Sequence, residues 1–324
     1  MLVLTLLENV GILALASYFT ATIWLISTWC YLEAKPARRP RNERTYWRTV
    51  IFGLIVIPVV YLLREIFPWP SLTPFASGRT WPITATVAGA IAMGSSMGQL
   101  LRLLTAHRKL RNLIRRAPPL TDAATAERIN TIAREMHLNP AHVRVRCSAE
   151  IAVPFVTPHT LFLPVSFAND SESAEFDRVV RHEMVHLRAK DPAWIAFANI
   201  CLTCFPLHPL AWTTFKRLLL ATEVEADRAA VPPAADERLA YCKQLLAITP
   251  CLKPIPGFNT TGALGTPSIF QQRVRWMLAD DPIPSDRGNT ARALAIAWIA
   301  FCIFLLCAVP LFDRLFANGW GLWG

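Results

Sequence analysis

Charge is the scarcest commodity in this sequence. Asp, Glu, Lys and Arg make up only 17 % of its 324 residues, where an ordinary soluble domain carries about 25 %. Hydrophobic residues reach 53 % and the mean hydropathy is +0.33, which excludes an ordinary soluble protein and points to a membrane protein. Acidic residues are the rarer sign, 23 against 33 basic, for a net charge of +10. A cysteine framework is missing too. Cys30, Cys201, Cys204, Cys302 and Cys307 lie in apolar stretches and Cys147, Cys242 and Cys251 are scattered, so no disulfide scaffold is expected. Cys201 and Cys204 form a CxxC with no second pair, which reads as small, inert thiols. The first apolar run, residues 10–32, lacks a small-residue cleavage site, so it reads as an uncleaved membrane helix rather than a signal peptide.

Three further apolar runs follow, at residues 49–67, 81–104 and 291–312. Pro58 lies inside the second, where a membrane helix tolerates it. Residues 105–290 are mostly polar enough for one compact domain. Lysine and arginine set the expected orientation. The first loop holds Lys35, Arg38, Arg39, Arg41, Arg44 and Arg48, and the segment after the third run holds Arg102, Arg108, Lys109, Arg111, Arg115 and Arg116. The loop between the second and third runs has only Arg64 and Arg79. The amino terminus is therefore expected outside and residues 105–290 in the cytoplasm. The basic clusters sit where anionic headgroups lie, so the positive charge is read as membrane-flanking and no nucleic-acid partner is expected.

Inside residues 105–290 stands Arg181-His182-Glu183-Met184-Val185-His186, an H-E-x-x-H. Positions four apart share a helix face, so His182 and His186 can direct two imidazoles to one zinc ion. Glu183 sits beside the metal without having to bind it, the place for a general base acting on a water there. From the chain's own seven histidines, an accidental match arises in roughly 0.6 % of such sequences. Asp170 or Ser171 can cap the helix, Glu172 and Glu175 fall in its first turn, and Pro192 stops it. Upstream, the stripe Ala126, Ile129, Ala133, Met136 predicts a helix over residues 122–137, ended by Asn139-Pro140. Val143 to Arg146 alternates as a strand. Residues 151–156 and 160–165 read as a hairpin around Thr157-Pro158-His159, and Pro154, Pro158 and Pro164 mark both as edge strands. An edge strand just before the histidine helix can hold an extended peptide by strand addition.

Downstream, residues 193–215 are apolar but broken by Pro206 and Pro209, and are expected to re-enter the membrane rather than cross it. A helix from Pro209 to Val231 then carries Glu223 and Asp227, four apart on one face, with Glu225 pointing the other way. A third zinc ligand is needed. One of the two carboxylates can bind the metal while the other orients a histidine. His159, Tyr241 and the arginines are the candidates for stabilising an oxyanion. The loop at residues 253–268 reads as a connector.

These motifs resemble the membrane metallopeptidase family of the beta-lactam sensor-transducers (BlaR/MecR type). The likeness rests on the amino-terminal apolar runs, Pro154-Phe155-Val156, Leu161-Phe162-Leu163-Pro164, HEMVHLRAKDP at 182–192, FPLHPLAW at 205–212, Glu223-Val224-Glu225-Ala226-Asp227, Ile269-Phe270-Gln271-Gln272-Arg273 and the carboxy-terminal run. It implies His182, His186 and Glu223 as zinc ligands, Glu183 as the base, Asp227 behind a ligand, and a gluzincin-like fold. With 12 residues after Phe312, the external sensor domain of that family is not expected here.

The expected architecture is an α-helical membrane protein with a cytoplasmic α+β gluzincin-like zinc metalloprotease domain, in a bacterial-type inner membrane. Residues 1–104 supply three membrane helices with a basic cytoplasmic loop. Residues 105–290 form the protease domain with the membrane-embedded segment 193–215. Residues 291–324 add a fourth span and a short external tail. The expected activity is zinc-dependent endoproteolysis of a cytoplasmic protein such as a repressor, or of the chain itself. The expected partners are a protein or peptide substrate and the lipid bilayer, with a homodimer left open. Two rival readings stand: a membrane quality-control protease of the HtpX/CAAX-protease type, against which the span count argues, and a non-catalytic zinc-binding transducer, against which Glu183 argues.

Overall fold

A computed structural model describes residues 2–33, 43–66, 82–231, 234–248 and 267–278. Several sequence expectations lie outside them: the fourth span at 291–312 with its tail, residues 253–266 of the expected connector, Cys251, Cys302 and Cys307, and the basic residues Lys35, Arg38, Arg39, Arg41 and Arg79. In chain order the elements are α1 (Leu2–Glu33), α2 (Glu43–Ile66), α3 (Pro82–Arg116), α4 (Ala123–Glu135), β1 (Arg144–Ser148), β2 (Phe155–Thr157), β3 (Thr160–Pro164), α5 (Val165–Ala168), α6 (Ala174–Ala189), α7 (Asp191–Cys204), α8 (Pro209–Ala230), α9 (Ala235–Ile248) and α10 (Pro267–Leu278). They divide into two compact units. One holds the described residues up to Leu100 together with Ala198–Phe215, and the other holds Leu101–Phe197 and the described residues from Lys216 onward.

The first unit is built from apolar helices. Among the described residues, three helical stretches are long and apolar enough to cross a membrane: Leu13–Tyr31, Glu43–Leu63 and Thr86–Arg116. Lipid tails are as apolar as leucine, so such helices associate through close packing and hydrogen bonds rather than the hydrophobic effect. Both devices are present. A Cβ on Gly89 of α3 would fall 2.0 Å from the Leu7 carbonyl oxygen of α1, so this crossing requires glycine. Trp24 Nε1 of α1 donates to the Val50 carbonyl of α2 at 3.1 Å, Tyr46 Oη donates to the Thr28 carbonyl at 2.9 Å, and Thr20 and Tyr61 share a hydroxyl hydrogen bond of 2.8 Å. The turn between α7 and α8 packs on α1 in the same unit. The buried His208 ring meets Thr22 through Nε2 at 3.1 Å, and the Leu207 N–H donates to Tyr18 Oη.

The second unit has a three-stranded sheet of order β1-β3-β2 among the described residues, with β1 parallel and β2 antiparallel to β3. The hairpin of β2 and β3 forms as the sequence suggests, but β3 is the central strand rather than an edge. The prolines do not prevent this. Pro154 precedes β2, Pro158 lies in the turn, and Pro164 is the last residue of β3, so none removes an interior ladder donor. The outer side of β1 is covered by the chain after α3: Leu120 N–H donates to the Val145 carbonyl and Cys147 N–H to the Pro118 carbonyl. Among the described residues no strand covers the outer edge of β2.

Period-two alternation splits the sheet's side chains between two faces. Leu161, Leu163, Cys147 and Val156 enter a core with Ile129, Ile132 and Ala133 of α4 and Phe176, Val180 and Met184 of α6. Full burial of each large member contributes about 1.5–3 kcal/mol. On the other face Phe162 stacks on Phe155 at 4.7 Å and packs with Ala117, Leu113 and Ile114 at the end of α3. Arg146 Nη1 donates to the Ile114 and Ala117 carbonyls there, satisfying two helix-end acceptors.

Helix α4 starts at Asp122, whose carboxylate accepts from Thr125 N–H, and ends at Glu135, with His137 at a positive φ of 59°. The signals chosen at the ends of α6 differ from those expected. Ser173, not Asp170 or Ser171, caps it by accepting from Phe176 N–H. Its end is set by Lys190 in the left-handed conformation, φ 56°. Pro192 instead falls in the first turn of α7, where a proline's missing N–H costs nothing.

Candidate metal centre

Phe176, Val180, Met184, Val185 and Leu187 bury α6 against the sheet, and His182, Glu183 and His186 are buried with them. The i, i+4 spacing places the two imidazoles at each other, with 3.2 Å between their Nε2 atoms. The third group arrives from α8. Glu223 Oε2 lies 3.5 Å from His182 Nε2, and Oε1 lies 3.8 Å from His186 Nε2. Among the described residues, His182, His186 and Glu223 form the one group of side chains whose ligand atoms converge on a metal-sized space, all within 4.8 Å of one another. A tetrahedral zinc ion with ligands at about 2.0–2.1 Å separates them by about 3.3 Å, close to the three spacings found.

Hydrogen bonding makes the same case. Both Glu223 carboxylate oxygens and Glu183 Oε2 are buried without a well-directed hydrogen-bond donor. Arg273 Nη1 is 2.9 Å from Glu223 Oε2, an ion-pair distance whose angle is poor for a hydrogen bond. Buried polar atoms of native proteins almost always have partners, so this set of orphaned acceptors beside two imidazoles fits a cation.

Each imidazole is held from its far side. His186 Nδ1 donates to Asp191 Oδ2 at 2.7 Å, both side chains being 0 % exposed. His182 Nδ1 lies 3.1 Å from Asp227 Oδ1 and 3.2 Å from Tyr241 Oη, and Tyr241 Oη donates to Asp227 Oδ1 at 2.9 Å. With Nδ1 held as the donor on the far side, Nε2 is the nitrogen whose lone pair would face a metal in the common space. Arg273 completes the cluster through Nε to Asp227 Oδ2 at 2.8 Å and Nη2 to Oδ1 at 2.6 Å.

Burial and charge set the protonation of the metal-free cluster. Burial by itself would lower the His182 pKa, but the Asp227 and Glu223 carboxylates outweigh it and raise it to about 10. Burial raises the Glu183 carboxyl, only partly opposed by the two histidines. Glu223 and Asp227 are also desolvated, yet Arg273 and His182 hold both below the usual carboxylate range. Burial and the neighbouring Asp227 push the Tyr241 phenol well above its ordinary value.

The structure thus gathers His182, Glu183, His186, Glu223 and Asp227 in one place, while Glu225 is only half-buried on α8. Of the oxyanion candidates, His159 is exposed in the β2–β3 turn. Tyr241 is bonded to Asp227 and His182 Nδ1, behind the histidine rather than beside Nε2. Two participants, Asp191 and Arg273, stood in the quoted motifs without a role behind the ligands. Asp191 carried no periodic signal, since its position depends on the backbone turn at Lys190. Arg273 had a faint one: Ile269, Arg273 and Met277 are four apart, and all are buried on α10, so a lone arginine interrupts an apolar stripe.

A family model described as BlaR1 peptidase M56 matches residues 63–277. No curated protein matches the chain.

Proposed function

This chain belongs to the BlaR1 peptidase M56 family, and we propose from that premise that it is a membrane-embedded, zinc-dependent endopeptidase of the gluzincin type. The observation that carries the proposal is the buried convergence of His182, His186 and Glu223, with orphaned carboxylate oxygens on Glu223 and Glu183. The three converging residues would hold the metal. A bound zinc ion would supply a Lewis acid that polarises a peptide carbonyl and lowers the pKa of water to about 7. Glu183, one residue from a ligand and about 100° around the helix, would act as the general base toward an attacking water and as the proton donor to the departing amine. Burial raises its pKa in the metal-free cluster, the direction that favours holding a proton. Asp227 and Asp191 keep His182 and His186 in the ligating tautomer. The outer edge of β2, free of a neighbouring strand among the described residues, suits an extended peptide bound by strand addition.

The same reading assigns residues 1–104 to three membrane helices, 105–290 to a cytoplasmic protease domain with an embedded segment at 193–215, and 291–324 to a fourth span with an external tail. The basic clusters that follow the first and third runs, against a basic-poor loop between the second and third, support that orientation in an inner membrane. The proposed substrate is a cytoplasmic protein, such as a repressor, or the chain itself. Glu183→Gln keeps the side chain's size but cannot take up a proton. It should bind zinc normally and cleave nothing, whereas His182→Ala should lose both metal and activity. Zinc content by elemental analysis, beside cleavage of the chain or its substrate in liposomes, reads this out. A Glu183→Gln protein that complements a deletion as well as wild type does would replace the protease reading with that of a transducer.

A further inference from the structure

We propose that Arg273 is a positioning residue of the metal site, its guanidinium holding Glu223 toward the metal and Asp227 behind His182 at the same time. The proposal rests on the reading of His182, His186 and Glu223 as ligands. Arg273 is 0 % exposed and is the largest side chain buried to that degree among the described residues. A guanidinium in such a place is costly unless carboxylates replace its water. Here one cation spans two acidic residues of α8. Nε and Nη2 grip both oxygens of Asp227, a two-pronged hold that fixes the carboxylate plane. Nη1 faces Glu223 Oε2 at 2.9 Å, which leaves Oε1 as the oxygen on the His186 side.

Two effects of opposite sign act on a bound metal. Repulsion by the guanidinium weakens binding, and orientation of the carboxylates strengthens it. Orientation wins on this geometry. The guanidinium charge is already shared between two carboxylates, so the field it adds at the metal is small. Glu223 has no well-directed hydrogen-bond donor of its own, so the 2.9 Å ion pair with Arg273 is the contact by which it is held. Asp227 would keep Tyr241 without Arg273 but would lose both prongs. Lysine cannot substitute, because a single ammonium does not reach two carboxylates with a planar fork.

The test uses the full chain in detergent, with zinc affinity from chelator competition and the visible spectrum of the cobalt(II)-loaded protein as a readout of ligand geometry. Arg273→Lys keeps the charge and loses the fork. Its zinc Kd should rise about 10- to 100-fold and its cobalt bands should shift. The double variant Arg273→Met/Asp227→Asn removes the buried pair together, so it remains informative if Arg273→Lys does not fold. It should bind zinc more weakly than Asp227→Asn alone. Wild-type affinity and an unshifted spectrum in Arg273→Lys, or equal affinity in the double variant and Asp227→Asn, would overturn the proposal. A wild-type chain that takes up neither zinc nor cobalt would instead sink the ligand reading itself, and this proposal with it.

Discussion

Replacing Asp191 tests whether the candidate centre depends on what stands behind its ligands. The Asp191 carboxylate accepts from His186 Nδ1 at 2.7 Å, and neither side chain is exposed. Solvent therefore screens the pair little, unlike a surface ion pair. Removing the acceptor frees the imidazole to rotate and to take the wrong tautomer. Loss of such a partner typically costs 10- to 100-fold in metal affinity, about 1.4–2.8 kcal/mol. Asp191→Ala should fall at the upper end. Asp191→Asn keeps an acceptor oxygen in place but loses the charge, so it should fall nearer tenfold. The control is Asp177→Ala, which breaks the pair with Arg128 on the partly exposed face between α4 and α6. It should leave zinc affinity alone and change stability by no more than about 1 kcal/mol. Competition titration of each variant with zinc gives the answer. If Asp191→Ala binds zinc within about threefold of wild type, the hydrogen bond does not tune the ligand and the reasoning fails.

Three further outcomes are expected. Glu223→Ala should abolish stoichiometric zinc, Asp227→Ala should weaken it roughly 10- to 100-fold, and Glu225→Ala should leave it near normal; full zinc retention in Glu223→Ala would move the third ligand elsewhere. Because the metal-free His182 is raised from 6.5 to about 10, a metal must displace its proton, so zinc affinity should climb with pH between about 7 and 9. Calorimetry in buffers of different ionisation enthalpy should count about one proton released by this group at pH 8, and zero release would refute the assignment. A reporter fused after Leu110 should report cytoplasm, and one near Ser71 or at Gly324 the outside, as the lysine and arginine bias requires; a cytoplasmic signal at Gly324 would sink the four-span arrangement.

Local spacing was the part of the fold and site that the sequence made legible. His182 and His186, and separately Glu223 and Asp227, are four apart, and helix geometry alone puts each pair on one face. That the two faces meet is a tertiary fact, hinted at only by two carboxylates following three leucines. The ends of α6 were harder to read. Asn169 to Ser173 offers several side chains able to cap, and the choice falls to Ser173 because Phe176, three residues on, is buried against Phe167 at 5.3 Å. Tertiary packing decided between locally equivalent signals. The prolines of the hairpin misled for a related reason. Their effect depends on whether a given N–H faces the ladder, and residue type alone does not say.

The two histidines are held over very different ranges of chain. The support of His186 is local: α6 ends where Lys190 turns into the left-handed region, and this sharp corner brings Asp191 back onto a ring only five residues earlier. Lysine there accepts a conformation that costs an L-residue roughly 1 kcal/mol, a strain the buried Asp191 pair can offset. The support of His182 is remote. Asp227 comes from α8, Tyr241 from α9 and Arg273 from α10, so it exists only while three helices stay packed. Local opening of α9 or α10 would remove Tyr241 from His182 and Asp227, or Arg273 from Glu223 and Asp227, while leaving His186 on Asp191. Metal affinity at the proposed site should therefore depend on the docking of α9 and α10 as well as on Asp191.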